Sequence, residues 1–150
     1  MINAVDFYRM ARFLYLKNIP LLPWIIDKVI FYMYNSVVPH TCEIGKGTFL
    51  ACGGVGVLIH PRTVIGQNVN IGSNVTIGGR SGKKNVPIVG NNVFIATGSK
   101  ILGDLKIGDN AVVGANAVVI KDVPQNAVVV GVPAYIIKYR KDTSKRYGEV

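Results

Sequence analysis

The stretch Val64-Ile65-Gly66-Gln67-Asn68-Val69-Asn70-Ile71-Gly72-Ser73-Asn74-Val75-Thr76-Ile77-Gly78 repeats itself every six residues. Ile65, Ile71 and Ile77 recur in phase, each followed by glycine, with Val69 and Val75 four places after the first two. The series continues through Val89, Ile95, Ile101, Ile107, Val113 and Val119, always in steps of six except for the twelve between Ile77 and Val89. No helix has this period, because a helical apolar face returns every three to four residues. One large aliphatic, one smaller residue such as Val93, Ser99, Ala111 or Ala117, and a glycine read as a short strand followed by a tight turn. Asparagines at 68, 74, 92, 110 and 116 tolerate such turns. Three units make a coil, and stacked coils bury a ladder of Ile and Val that no coil buries alone. The fold expected is mainly β, a parallel β-helix.

Outward from the repeats, residues 1–37 have a different character. Phe7, Met10, Phe13 and Leu14 fall at helical spacing before the Asn18-Ile19-Pro20 break, and a second helix is expected over Trp24 to Tyr34. These helices cover one end of the solenoid or another subunit. The alternative is a membrane-surface anchor, since Arg9, Arg12, Lys17 and Lys28 stand beside aromatic residues. The longest uncharged stretch here, Val29 to Cys42, has 14 residues, short of the roughly 20 needed to cross a bilayer. The chain thus divides into a helical segment (1–37), a solenoid (38–137) and a basic tail (138–150).

With 150 residues, 49% hydrophobic and 17% charged, the chain suits one core rather than two. A net charge of +9 invites an anionic partner without naming it. Nucleic acid is not expected, because the aromatics crowd the helical segment while the repeats carry almost none. Two cysteines, Cys42 and Cys52, without a leader-like segment, point to a cytoplasmic protein, with the inner membrane face as an extension of that reading. Cys52 reads as an ordinary buried thiol.

The twelve-residue gap replaces one repeat by a polar excursion, residues 79–88. A plain surface loop is one reading; a loop carrying binding groups on a rigid scaffold is the other, with Arg80, Lys84 and Asn85 as candidates for substrate binding. The run from Gly78 to Lys84 is no phosphate loop: Ile77 stands where the first glycine is needed, and Lys84 where Ser or Thr must follow the lysine. The only histidines are His40 and His60. Extending the phase back puts Ile59 on the same face as Ile77, so His60 points outward beneath Gly78. A histidine near neutrality suits a general base, with a surface histidine as the alternative; His40 reads as structural.

The Val75-Thr76-Ile77-Gly78-Gly79 run, Lys100-Ile101-Leu102-Gly103, Lys121-Asp122-Val123-Pro124 and Gly131-Val132-Pro133-Ala134 together resemble the hexapeptide-repeat acyltransferases. The likeness is to their serine acetyltransferase branch, and within it to compact members found beside polysaccharide-synthesis enzymes. The resemblance implies a left-handed parallel β-helix, a hand opposite to that of ordinary parallel crossovers, and a homotrimer whose cleft lies between neighbouring solenoids. It implies acetyl transfer from acetyl-CoA to a hydroxyl, without a metal, with His60 as base. Gly78, Gly79, Ala96, Ala115, Lys121 and Lys138 then line the coenzyme, and the cluster of Lys138, Arg140, Lys141, Lys145 and Arg146 either meets its phosphates or forms a solvated tail. The family's catalytic histidine and preceding aspartate have no counterpart in Leu50-Ala51-Cys52-Gly53-Gly54; a second family histidine is replaced by Val86, and an acidic residue is missing near Val37. These departures point to a sugar hydroxyl of a polysaccharide precursor, lipid-linked or nucleotide-linked, with serine O-acetyl transfer as the alternative. A non-catalytic solenoid scaffold is the alternative of another class. The carbonic anhydrases of this fold need three histidines, and the chain has two.

Overall fold

The computed structural model describes residues 2–144 and 147. Two helices, α1 (Ala4–Leu16) and α2 (Leu22–Tyr34), precede twelve short strands that wind in parallel coils. The first face holds β1 (Glu43–Ile44), β4 (Val64–Ile65), β7 (Ile88–Val89) and β10 (Lys106–Ile107). The second holds β2 (Phe49–Leu50), β5 (Asn70–Ile71), β8 (Phe94–Ile95) and β11 (Val112–Val113). The third holds β3 (Leu58–Ile59), β6 (Thr76–Gly78), β9 (Lys100–Leu102) and β12 (Val118–Val119). The chain visits the faces in that order and turns a corner between each pair.

Register explains the period and its two interruptions. Thr76 pairs with Leu58 and Lys106 with Ile88, the eighteen-residue step of three hexads. Val64 pairs with Glu43, twenty-one residues back, because the kinked 3-10 segment Ala51–Gly54 adds three. Ile88 pairs with Val64, twenty-four back, because the excursion adds one hexad. The excursion is one residue shorter than its sequence limits suggest, since Ile88 already belongs to β7. Inward residues Ile59, Ile65, Ile71, Ile77, Ile95, Ile101 and Ile107 form the buried ladder, and Asn68, Asn74, Asn92, Asn110 and Asn116 take the left-handed backbone at the corners.

The helices close the first coil through only part of the apolar set that their spacing marks: Phe7 and Leu14 pack against the core. Ala4, Val5, Tyr8 and Ala11 are buried, while Met10 and Phe13 face outward. Small alanines let α1 approach the coil closely, and the Tyr8 hydroxyl donates to the Cys42 carbonyl (2.7 Å) and accepts from the Ile44 N–H (3.1 Å). Burial pushes both the Tyr8 phenol and the Cys42 thiol up to about 12. Cys52, in contrast to its sequence reading, is exposed, with a left-handed backbone (φ 53°) in the kinked segment. At the far end β13 (Ala127–Gly131) pairs in parallel with β11, and β14 (Ala134–Tyr139) folds back antiparallel on β13. Lys138 therefore lies within a strand and not in a tail, and the Arg140 N–H donates to the Asn126 carbonyl. Lys145 and Arg146 lie outside the described residues. Among the described residues no helix is long and apolar enough to cross a membrane.

Candidate functional site

The corner between the third and first faces collects most of the candidate residues. His60 leaves β3 directly after inward Ile59, which pairs with Ile77, and the His60 N–H donates to the Ile77 carbonyl (2.8 Å). Gly78 and Gly79 lie above it in the next coil. A Cβ on Gly79 would stand 3.9 Å from His60 Cδ2, so any side chain there would cover the imidazole. Gly79 is exposed and its N–H makes no hydrogen bond among the described residues, leaving a donor beside the ring. Lys121 follows β12, which stacks on β9 and β6, and so occupies the same corner two coils above Gly79.

The excursion is anchored at two points. Arg62 donates from Nη2 to the Lys84 carbonyl (2.8 Å), and Asn85 Nδ2 donates to Asp104 (3.0 Å). Arg80, in the same excursion, packs beside Gly103. Arg62, Asn85, Val86, Asp104 and Lys106 line an open cavity of about 360 Å³. Val86 is buried, and its Cγ1 would stand 3.8 Å from a Cβ on Gly79. Arg62 and Asp104 are absent from the sequence-derived set; their roles depend on contacts 22 and 19 residues away, which a six-residue pattern does not carry.

The two histidines are held in opposite ways. His60 Nδ1 accepts from the Arg62 N–H (3.1 Å), so the neutral ring carries its proton on Nε2. His40 Nδ1 stands 2.7 Å from the Asp27 carboxylate, which also accepts the His40 backbone N–H (3.1 Å). A carboxylate only accepts, so His40 donates from Nδ1 and Nε2 is left as the basic nitrogen. Burial raises the Asp27 pKa against the opposing pull of its His40 hydrogen bond. The sequence offers no signal for this pair, since Asp27 belongs to α2 and His40 to the entry of the solenoid.

Ala96 and Ala115 lie elsewhere. They follow β8 and β11 at the corner between the second and third faces, the corner that also carries Cys52. A full face separates them from His60 in the same chain. Lys138 sits on β14, at the outer edge of the second face. Among the described residues no cluster of three His, Cys, Asp or Glu is placed to hold a metal ion.

Residues 87–121 match the family described as bacterial transferase hexapeptide (six repeats). A serine acetyltransferase of Synechococcus elongatus is 34% identical over 138 residues, covering 90% of this chain and 56% of the relative. One from Staphylococcus xylosus is 38% identical over 140 residues, covering 91% and 64%. The crystal structure of a serine acetyltransferase in complex with coenzyme A from Brucella abortus superposes with a TM-score of 0.87 at 30% identity, covering 93% of this chain and 56% of that one. The chain thus spans less than two thirds of the length of these relatives.

Proposed function

We propose that this hexapeptide-repeat solenoid, a homologue of the serine acetyltransferases, transfers an acetyl group from acetyl-CoA to a hydroxyl group, with His60 at the centre of the reaction. The observation that carries the proposal is the placement of His60 beneath Gly79 at the foot of the excursion, with the likeness to a coenzyme A complex over 93% of the chain. In the transfer, the hydroxyl oxygen attacks the thioester carbonyl, the C–S bond breaks, and the hydroxyl proton passes through the imidazole to the departing thiolate. The Gly79 N–H is the donor available to the developing oxyanion. To take a proton through Nδ1, His60 releases the Arg62 N–H, a solvent-exposed bond worth about 1 kcal/mol.

The separation of His60 from Ala96 and Ala115 supports a homotrimer. In a ring of solenoids, the His60 corner of one chain meets the Ala115 corner of the next, completing a site that neither holds alone. Outward-facing Leu58, Val64 and Ile88, each substantially exposed, supply apolar surface for such contacts.

For the acceptor, the names of the relatives favour L-serine. A saccharide hydroxyl is the second reading, favoured by Ala51, Cys52 and buried Val86 at places where the relatives' family carries polar groups. Release of free thiol from acetyl-CoA, measured with L-serine and with a panel of sugars, separates the two. His60→Ala lowers the rate by about 100-fold or more; retention of most activity would refute the assignment. Mixing His60→Ala chains with Ala115→Trp chains, each inactive alone, restores about a quarter of the activity if the site is shared between subunits, and none if it is not.

A further inference from the structure

We infer that the His40–Asp27 pair forms, with Tyr15 and Trp24, a binding site for a neutral hydroxylated ring, a pyranose, one coil beneath the His60 corner, where Val37 pairs with Leu58 and the Thr41 hydroxyl donates to the Pro61 carbonyl. A cavity of about 290 Å³ lies between the α1–α2 turn and the entry of the solenoid, lined by Tyr15, Ile19, Pro20, Pro23, Trp24 and His40. Its volume is at the lower limit of small-molecule sites, enough for one ring and little more.

Its chemistry selects the ligand. Asp27 holds His40 Nδ1–H at 2.7 Å and the His40 backbone N–H at 3.1 Å, which fixes both the tautomer and the ring orientation. No hydrogen bond to Nε2 is found among the described residues, so the site offers an oriented lone pair that calls for a hydroxyl donor. Around it the walls are aromatic and aliphatic apart from Asn18. The Tyr15 ring lies 4.9 Å from the imidazole, and Trp24 is 58% exposed. An aromatic face carries negative quadrupole charge, and the C–H groups of a pyranose, polarised by the neighbouring oxygens, present the complementary surface. Lys28 lies over the Trp24 ring (5.2 Å), and Arg12 donates to the His40 carbonyl (3.2 Å); this surrounding positive charge disfavours a cationic ligand. L-Serine has no ring to stack. The site stands whether or not His60 performs acetyl transfer, and a glycan acceptor would find in it a place for a second sugar unit.

Trp24 is the only tryptophan of the chain, so its emission reports on this cavity alone. Titration of the full chain with methyl glucoside, methyl galactoside and N-acetylglucosamine should shift that emission saturably in the millimolar range for at least one sugar, while L-serine leaves it unchanged. His40→Phe, which keeps a ring but removes the acceptor, should weaken binding at least tenfold. A clamp with a purely structural role would instead lower the melting temperature and leave the affinity intact. Tyr15→Ala, at a residue 44% exposed, should weaken binding too and keeps the test open if His40→Phe fails to fold. No response to any sugar, or unchanged affinity in the variants, overturns the site. Stabilisation of the fold by coenzyme A in the same samples reports separately on the acetyltransferase reading.

Discussion

Glycine follows the inward aliphatic at all three corners of the solenoid, and at two of them for opposite reasons. Between the first and second faces, a Cβ on Gly66 would stand 2.5 Å from the Gly90 carbonyl oxygen, and one on Gly45 would stand 2.5 Å from that of Gly66. Backbone rests on backbone there, and only glycine fits. Between the third and first faces, a Cβ on Gly78 would meet only Leu102 Cδ2 at 3.7 Å and Thr76 Cγ2 at 3.9 Å, ordinary contacts that any packing tolerates. The same sequence signal therefore marks a steric requirement at one corner and open space at the other. The space lies beside His60 and the excursion.

The sharpest test of this contrast is a pair of alanine substitutions. Gly66→Ala pushes a methyl into a carbonyl that belongs to the next coil and cannot retreat without moving the ladder; it should cost about 3 kcal/mol, a fall of roughly 10 °C in melting temperature for a chain of this size. Gly78→Ala should change stability by less than about 0.5 kcal/mol. Equal losses at the two sites, measured by thermal unfolding, would show that the corners do not differ.

The contrast also shows what was legible beforehand. The period placed Ile59 under Ile77 and His60 at the excursion because solenoid neighbours are set by counting, and counting survives the two insertions. It could not distinguish Gly66 from Gly78, since what each glycine meets lies one coil away. The helices were legible as helices and their buried face only in part: Phe7 and Leu14 pack against the core, but α1 docks chiefly through Ala4, Tyr8 and Ala11, where close approach and the Tyr8 hydroxyl outweigh the bulk of Met10 and Phe13. The Asp27–His40 pair and the Arg62 anchor join segments with no shared periodicity. Exposed Cys52 follows from three residues added to the first coil, which swing it out of the ladder.

Two threonines extend the comparison to smaller effects. Thr48 and Thr63 occupy equivalent places, four residues after inward Ile44 and Ile59, and both are fully buried. At the first corner, Thr48 Oγ1 donates to the Gly66 carbonyl (2.8 Å) and accepts from the Val69 N–H (2.9 Å). Thr48→Val leaves both backbone groups without that partner and should cost about 2 kcal/mol. A neutral outcome in urea unfolding would mean that the glycine column is not stitched by this hydroxyl.

At the His60 corner the sign reverses. Thr63 Oγ1 is buried without a hydrogen-bond partner among the described residues, while its N–H donates to the His60 carbonyl (2.9 Å). The hydroxyl thus carries the cost of desolvation with nothing in return, whereas the backbone bond that ties it to His60 does not depend on the side chain. Val has the same branched shape and fits a column whose other members include the buried apolar side chains of Cys42 and Leu105, so Thr63→Val should raise stability by about 1 kcal/mol. A loss of stability would show that the hydroxyl has a partner after all. A gain accompanied by lower acetyl-transfer activity would be more informative, since it would place the orphaned hydroxyl in the service of His60 and make this corner the one where the fold keeps a polar group at the expense of its own stability.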